Sequence, residues 1–109
     1  MKLKITQKIK DAWLKDLRSN KFKQGTGQLY NKARDSYCCL GVFCKTVAKQ
    51  KKKNFNNIVK EIGSSNITCL KSNIIDWKIQ EKLITANDYN GKNFFEIADI
   101  IEKELKVDI

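Results

Sequence analysis

Apolar residues recur at helical spacing along most of the chain, and the densest such stretch is Tyr37–Ala48, YCCLGVFCKTVA, where Lys45 is the one charged residue. Leu40, Phe43, Cys44, Val47 and Ala48 follow i, i+3, i+4, i+7, i+8, while Cys38, Cys39 and Val42 make the opposite side apolar too. A helix that is apolar nearly all round is wrapped by other elements. The pattern therefore predicts a buried central helix over Tyr37–Lys49. Residues 3–19 predict an amphipathic helix, with Ile5, Ile9, Ala12, Trp13 and Leu17 inward and Lys4, Lys8, Lys10, Asp11, Lys15, Asp16 and Arg18 elsewhere. Residues 20–36 are polar with two glycines, predicting a loop with at most a short hairpin, Gln28–Tyr30 being the best strand candidate.

After a basic connection at 50–54, Asn54 is placed to cap a helix over Phe55–Ile62, which Gly63 would stop. Ile67–Leu70 is short and apolar, either a buried strand or an extended link. Asn73 and Asp76 resemble a capping pair for a helix over Ile74–Ile84, with Ile75, Ile79 and Leu83 inward. Ala86–Lys92 reads as a turn by composition. Asn93 and Glu96 form an N-x-x-E start signal for a last helix striped by Phe94, Ile97, Ala98, Ile101 and Leu105. The sum is one mainly α domain of about five helices, with at most a small two- or three-stranded β element.

The composition suits a folded globule: 109 residues, 41% apolar, no Pro. No window has the length of apolar residues that a membrane span needs, so a membrane partner is not expected. The opening MKLKITQKIKDAW lacks the apolar core and cleavage site of a secretory signal. These features point to the cytoplasm, where the four cysteines stay reduced.

Candidate chemistry is sparse. Cys38, Cys39, Cys44 and Cys69 number enough for zinc, but neighbouring cysteines on a helix point about 100° apart and no His is present. Buried free thiols are the leading reading, with a regulatory disulfide or zinc as the alternatives. Absence of His removes the usual base for a nucleophilic Cys and every His-based triad or metal site. Asp99 and Glu102 lie i, i+3 as an acid/base pair would, though on a polar face that is usually only solvated. Asp88 follows Asn87 in turn context. Gly25-Thr26-Gly27 beside Lys21 and Lys23 is either a tight turn or a phosphate cradle lacking the rest of a nucleotide fingerprint. No cofactor is expected.

Charge changes the picture. Residues 1–60 carry 16 Lys+Arg against 3 Asp+Glu, a net of +13; residues 61–109 carry 6 against 9, a net of −3. The basic half holds Lys21, Lys23, Lys32, Arg34, Lys49, Lys51, Lys52 and Lys53, with Phe22, Tyr30 and Tyr37 interleaved. Lysines among aromatics suit nucleic acid or an acidic protein face; the alternative is a solvated face in a chain generally rich in Lys, Asn and Ile. Only two arginines occur, Arg18 and Arg34, which disfavours base-specific recognition.

The order W-x3-L-R-S-x-K-F/Y-x-Q-G-x-G-x-L, then Y-C-C-L-G-V-x-C, then N-D-x-x-G-x-x-F-x-E-I-A-D-x-I-E resembles a family of small bacteriophage and prophage proteins. The matching residues are Trp13, Leu17-Arg18-Ser19, Lys21-Phe22, Gln24-Gly25, Gly27 and Leu29, then Tyr37–Cys44, then Asn87-Asp88, Gly91, Phe94 and Glu96–Asp99 to Glu102. The chain departs from the pattern in being shorter between Cys44 and Asn87 and richer in lysine. The resemblance implies a phage or mobile-element origin and carries over no functional residues.

Small phage proteins of this kind often act by occupying a host macromolecule. The leading expectation is a non-enzymatic binding protein that blocks a host protein, in the style of inhibitors of CRISPR and other nucleic-acid-guided defence nucleases. The Lys/Arg set and Phe22 with Tyr30 would form its contact face. The alternative is an accessory protein binding nucleic acid directly through phosphate contacts.

Overall fold

A computed structural model describes residues 4–107. The Thr6 hydroxyl accepts from the Ile9 N–H at 3.2 Å and starts α1 (Gln7–Leu17). The chain then crosses a loop into a two-stranded antiparallel sheet, β1 (Tyr30–Asn31) and β2 (Ser36–Tyr37), with Tyr30 opposite Tyr37 and Asn31 opposite Ser36. Four helices follow: α2 (Cys39–Lys51), α3 (Phe55–Ile62), α4 (Trp77–Asp88) and α5 (Phe94–Glu104). Five helices and this one small sheet make the mainly α domain expected from the periodicity, among the described residues. No described helix is long and apolar enough to cross a membrane.

Helix α2 is the centre. Cys39, Leu40, Val42, Phe43, Cys44 and Val47 are fully buried, and α2 touches α1, α3, α4 and β2. The Trp13 indole of α1 anchors it twice, donating to the Cys39 carbonyl at 3.1 Å and meeting Phe43 edge-on at 4.9 Å. At Gly41 the Leu29 backbone comes so close that an added Cβ would stand 1.8 Å from its carbonyl oxygen. The third contact of α1 is with α5: the buried Lys10 ammonium donates to the carbonyls of Leu105 at 2.6 Å and Glu102 at 3.2 Å. A cation thus closes the carbonyl end of α5, where the helix dipole favours it. The other end of α5 carries the expected capping box, Asn93 with Glu96.

Several elements differ from the sequence expectation. The expected 3–19 helix begins at Leu3, outside the described residues; the described helix starts at Gln7, and Lys10 is buried rather than exposed. Tyr37 lies in β2, so the central helix starts two residues later and runs on to Lys51. The strand beside it is Tyr30–Asn31 rather than Gln28–Tyr30. Ile67–Leu70 is not a strand: only Leu70 bridges, to Gly63, and Ile67 has φ 50°. The Asn73/Asp76 capping pair does not form, because Asp76 makes no side-chain cap bond and α4 starts at Trp77. Helix α4 also runs into the stretch read as a turn, ending at Asp88, so that the turn begins only at Tyr89.

Candidate nucleic-acid or partner interface

Lys45 and Lys49 are spaced i, i+4 on one face at the end of α2, and Lys52 stands just past its last residue. The helix stops there because Lys52 turns left-handed (φ 54°, ψ 44°), its N–H reaching the Ala48 and Lys49 carbonyls. Lys53 follows, its N–H on the Ala48 carbonyl at 2.9 Å. Asn54 then caps α3 by accepting from the Asn56 N–H at 2.8 Å, which brings Phe55 round to face the lysines. From the other side, Lys21 and Phe22 arrive just after α1, past a left-handed bend at Asn20 (φ 63°).

These pieces enclose a pocket of about 430 Å³. Lys21, Lys45, Lys49, Lys52 and Lys53 rim it; Phe22, Phe55 and Ala48 supply its apolar lining. Asp16 is its one carboxylate, and Asp16 Oδ2 accepts from the Thr46 hydroxyl at 2.7 Å. A smaller neighbouring pocket of about 240 Å³ shares Asp16, Lys21 and Lys49. Of the five rim lysines only Lys53 has a carboxylate within 4.0 Å among the described residues, Glu61 at 3.8 Å. The Lys45 ammonium stands 5.3 Å from the centre of the Phe55 ring, a cation–π contact.

The lining is held by an aromatic cluster. Phe22 meets Tyr37 edge-on at 5.4 Å; Tyr37 lies 4.8 Å from Tyr30; both tyrosines meet Phe55 edge-on, at 5.9 and 5.7 Å. The Tyr30 hydroxyl donates to Asp35 at 2.8 Å, and that bond holds its phenol above the ordinary tyrosine range. Burial pushes the Tyr37 phenol the same way. The hairpin thus ties the loop carrying Phe22 to α3.

The structure brings together Lys21, Lys49, Lys52, Lys53 and Phe22 from the expected set. Tyr30 supports the lining from the cluster. Lys23, Lys32, Arg34 and Lys51 are exposed and lie outside the pocket. Lys45 and Phe55 line it although the charge reading passed over both. The signal for Lys45 is its helical spacing to Lys49.

The other candidates have structural partners. Asp99 and Glu102 both accept from Arg18, at 2.8 and 2.9 Å, joining α5 to the end of α1. The Gly25 N–H donates to the Tyr37 carbonyl at 2.7 Å and the Gly27 N–H to Asp88 Oδ2 at 3.1 Å, so both glycine N–H groups are engaged within the fold. Asn87 fixes the same loop, donating to the Gly25 carbonyl at 2.8 Å and accepting from Gln24 at 2.9 Å. Cys38, Cys39 and Cys44 are buried free thiols and Cys69 is half-buried. Burial pushes the Cys38 thiol up to about 11, and raises Cys39 and Cys44 as well. Among the described residues no three His, Cys, Asp or Glu side chains gather as a metal site would require.

No curated protein and no solved structure matches the chain. A family model does, over residues 5–81, from α1 into the first turns of α4. The matched segment contains every residue of the lysine-rimmed pocket, and the chain belongs to that family, a domain of unknown function (DUF8296).

Proposed function

We propose that this chain is a non-enzymatic binding protein of bacteriophage or mobile-element origin that works by occupying a host macromolecule. The face around Lys21, Lys45, Lys49, Lys52 and Lys53 is its contact surface. The proposed target is a complex that handles nucleic acid, such as a nucleic-acid-guided defence nuclease, whose anionic surfaces, bound nucleic acid or acidic protein, a basic face engages. The observation that carries the reading is the pocket itself: five lysines line one cavity, and four of them have no carboxylate within 4.0 Å among the described residues. Occupancy fits better than turnover because the pocket offers ammonium groups and one engaged carboxylate, and the chain has no His to act as base.

A second reading, direct binding of nucleic acid, is favoured by Phe22 and Phe55 lining the same cavity, since bases stack on aromatic faces. A pull-down with tagged protein from a bacterial lysate, with and without nuclease, separates the two. A defined protein retained after nuclease, and lost with Lys45→Gln/Lys49→Gln, supports occupancy. Capture of nucleic acid alone, lost at moderate salt, supports the second reading. A protein partner unaffected by the double substitution would remove the pocket from the contact surface.

A further inference from the structure

The pocket combines two kinds of contact that one chemical unit satisfies together. Lys21, Lys45, Lys49 and Lys52 present ammonium donors without ion pairs among the described residues, and Phe22 and Phe55 line the same cavity. Its volume of about 430 Å³ falls within the roughly 300–1,000 Å³ of small-ligand sites. A bare anion would leave the aromatic lining unused. An apolar ligand would leave the ammonium groups facing it unpaired, at a desolvation cost.

We propose that the pocket binds a nucleotide unit, with its phosphate on the lysines and its base against Phe22 or Phe55. The inference rests on the reading of this pocket as the contact surface and narrows what that surface takes. The unit has two sources, a free nucleotide or one residue of a single-stranded nucleic acid, and the shared chemistry is a phosphate beside a stacking base. Lys45 links the two halves of the site. Its ammonium lies over the Phe55 ring at 5.3 Å, so a phosphate that draws it away frees that ring for a base.

Lys52 ends α2 within the pocket lining and offers a variant that separates affinity from stability. Its left-handed backbone (φ 54°, ψ 44°) is the conformation in which helices usually end on glycine, because glycine has no Cβ to clash. A lysine there forgoes that advantage while its side chain lines the pocket.

The test measures binding of the full chain to three probes: a labelled single-stranded oligothymidylate, a nucleoside triphosphate and inorganic triphosphate. Lys45→Gln/Lys49→Gln is expected to weaken nucleotide binding by about tenfold or more. The control Lys23→Gln/Lys32→Gln, outside the pocket, is expected to change it less than about threefold. Lys52→Gly is expected to lower affinity while the melting temperature holds or rises. Tight oligonucleotide with weak nucleoside triphosphate assigns the site to nucleic acid; comparable affinity for both assigns it to a free nucleotide. Equal losses in the two double variants would overturn the proposal in favour of diffuse charge. So would inorganic triphosphate binding as tightly as the nucleoside triphosphate, or no binding of any probe. If the host protein of the pull-down is lost from the pocket variant while no nucleotide binds, the contact surface stands and the nucleotide inference fails.

Discussion

Gly41 sits where the central helix meets the Leu29 backbone with no room for a methyl group: an added Cβ would fall 1.8 Å from the Leu29 carbonyl oxygen and 2.7 Å from its carbon. Gly41→Ala gains about 1 kcal/mol of helix propensity, but it must push α2 off a backbone segment that cannot rotate aside. A net loss of about 3 kcal/mol is expected, at the upper end of overpacking costs; an unchanged urea midpoint would refute the close approach. The cysteines give a second test at this scale. With Cys38, Cys39 and Cys44 buried and their thiols held protonated, a thiol reagent should titrate Cys69 first and the other three only on unfolding. The pH dependence follows in sign. The Cys38 thiol moves from its ordinary 9.0 up to about 11 on folding, so its contribution is complete below about pH 9 and is lost as pH rises toward 11. Tyr30 and Tyr37, also raised, act in the same direction. Melting temperature should therefore fall across pH 9–11, less steeply in Cys38→Ala.

At the scale of elements, Gln80 explains why α4 begins where it does. The fully buried amide accepts from the Leu70 N–H at 2.9 Å and donates to the carbonyls of Leu70 at 3.1 Å and Ile75 at 2.8 Å. It holds the irregular segment before α4 in place of helical or strand hydrogen bonds. Gln80→Leu keeps the volume and orphans three buried backbone groups, so a loss of about 3 kcal/mol is expected; a loss under about 1 kcal/mol in denaturant unfolding would show that the segment satisfies itself otherwise. This contact also marks the limit of what periodicity can reveal. Ile75 is buried as its spacing implies, but ahead of α4 rather than within it, because the Gln80 side chain captures the backbone of Ile75 and Leu70, five and ten positions upstream. The far end of α4 shows the same override: Ala86–Asp88 reads as a turn by composition, yet Asn87 is buried and bonded to Gly25 and Gln24, which keeps the helix going. Where local signals were self-sufficient, as in the Asn93–Glu96 box or the Phe55–Ile62 stripe, helix and boundary were both readable. The site was half readable. Charge density pointed to the lysines, but only the turn at Lys52 and the aromatic cluster decide which of them converge, and those depend on contacts between distant segments. The residues carrying the resemblance are largely core: Trp13, Leu17, Leu29, Leu40 and Ile97 are all nearly or fully buried, so they specify a fold and leave the chemistry unstated.

Over the whole molecule, charge is segregated by pairing as well as by sequence. The acidic C-terminal half uses carboxylates to hold Arg18, Lys82 and Lys92, through Asp99 and Glu102, Glu104, and Glu96 respectively. Part of the net charge of +10 stands at the end of α2 and the loop after α1, where four of the five rim lysines have no carboxylate within 4.0 Å among the described residues. Charge reversal of Lys51, Lys52 and Lys53 to Glu tests this arrangement with little risk to the fold. All three side chains are exposed, and the one ion pair lost, Lys53 with Glu61 at 3.8 Å, is of a kind worth about 0–1 kcal/mol. Placing acids at a helix C-terminus costs a further few tenths each, typically about 0.3–1 kcal/mol. A melting curve lowered by only a few degrees is the expected control. If the partner is nucleic acid, each phosphate contact contributes about 0.7 to the logarithmic salt slope for single strands. Losing Lys52 and Lys53 should then flatten that slope by about 1.4, beyond abolishing tight binding at low salt. If the partner is a protein anchored by Phe22 and Phe55, the wild-type slope is shallow from the start and part of the affinity survives the reversal. A steep wild-type slope that the triple variant leaves intact would place the polyanion contact elsewhere, on Lys23, Lys32 and Arg34, and would separate the pocket from the charge that surrounds it.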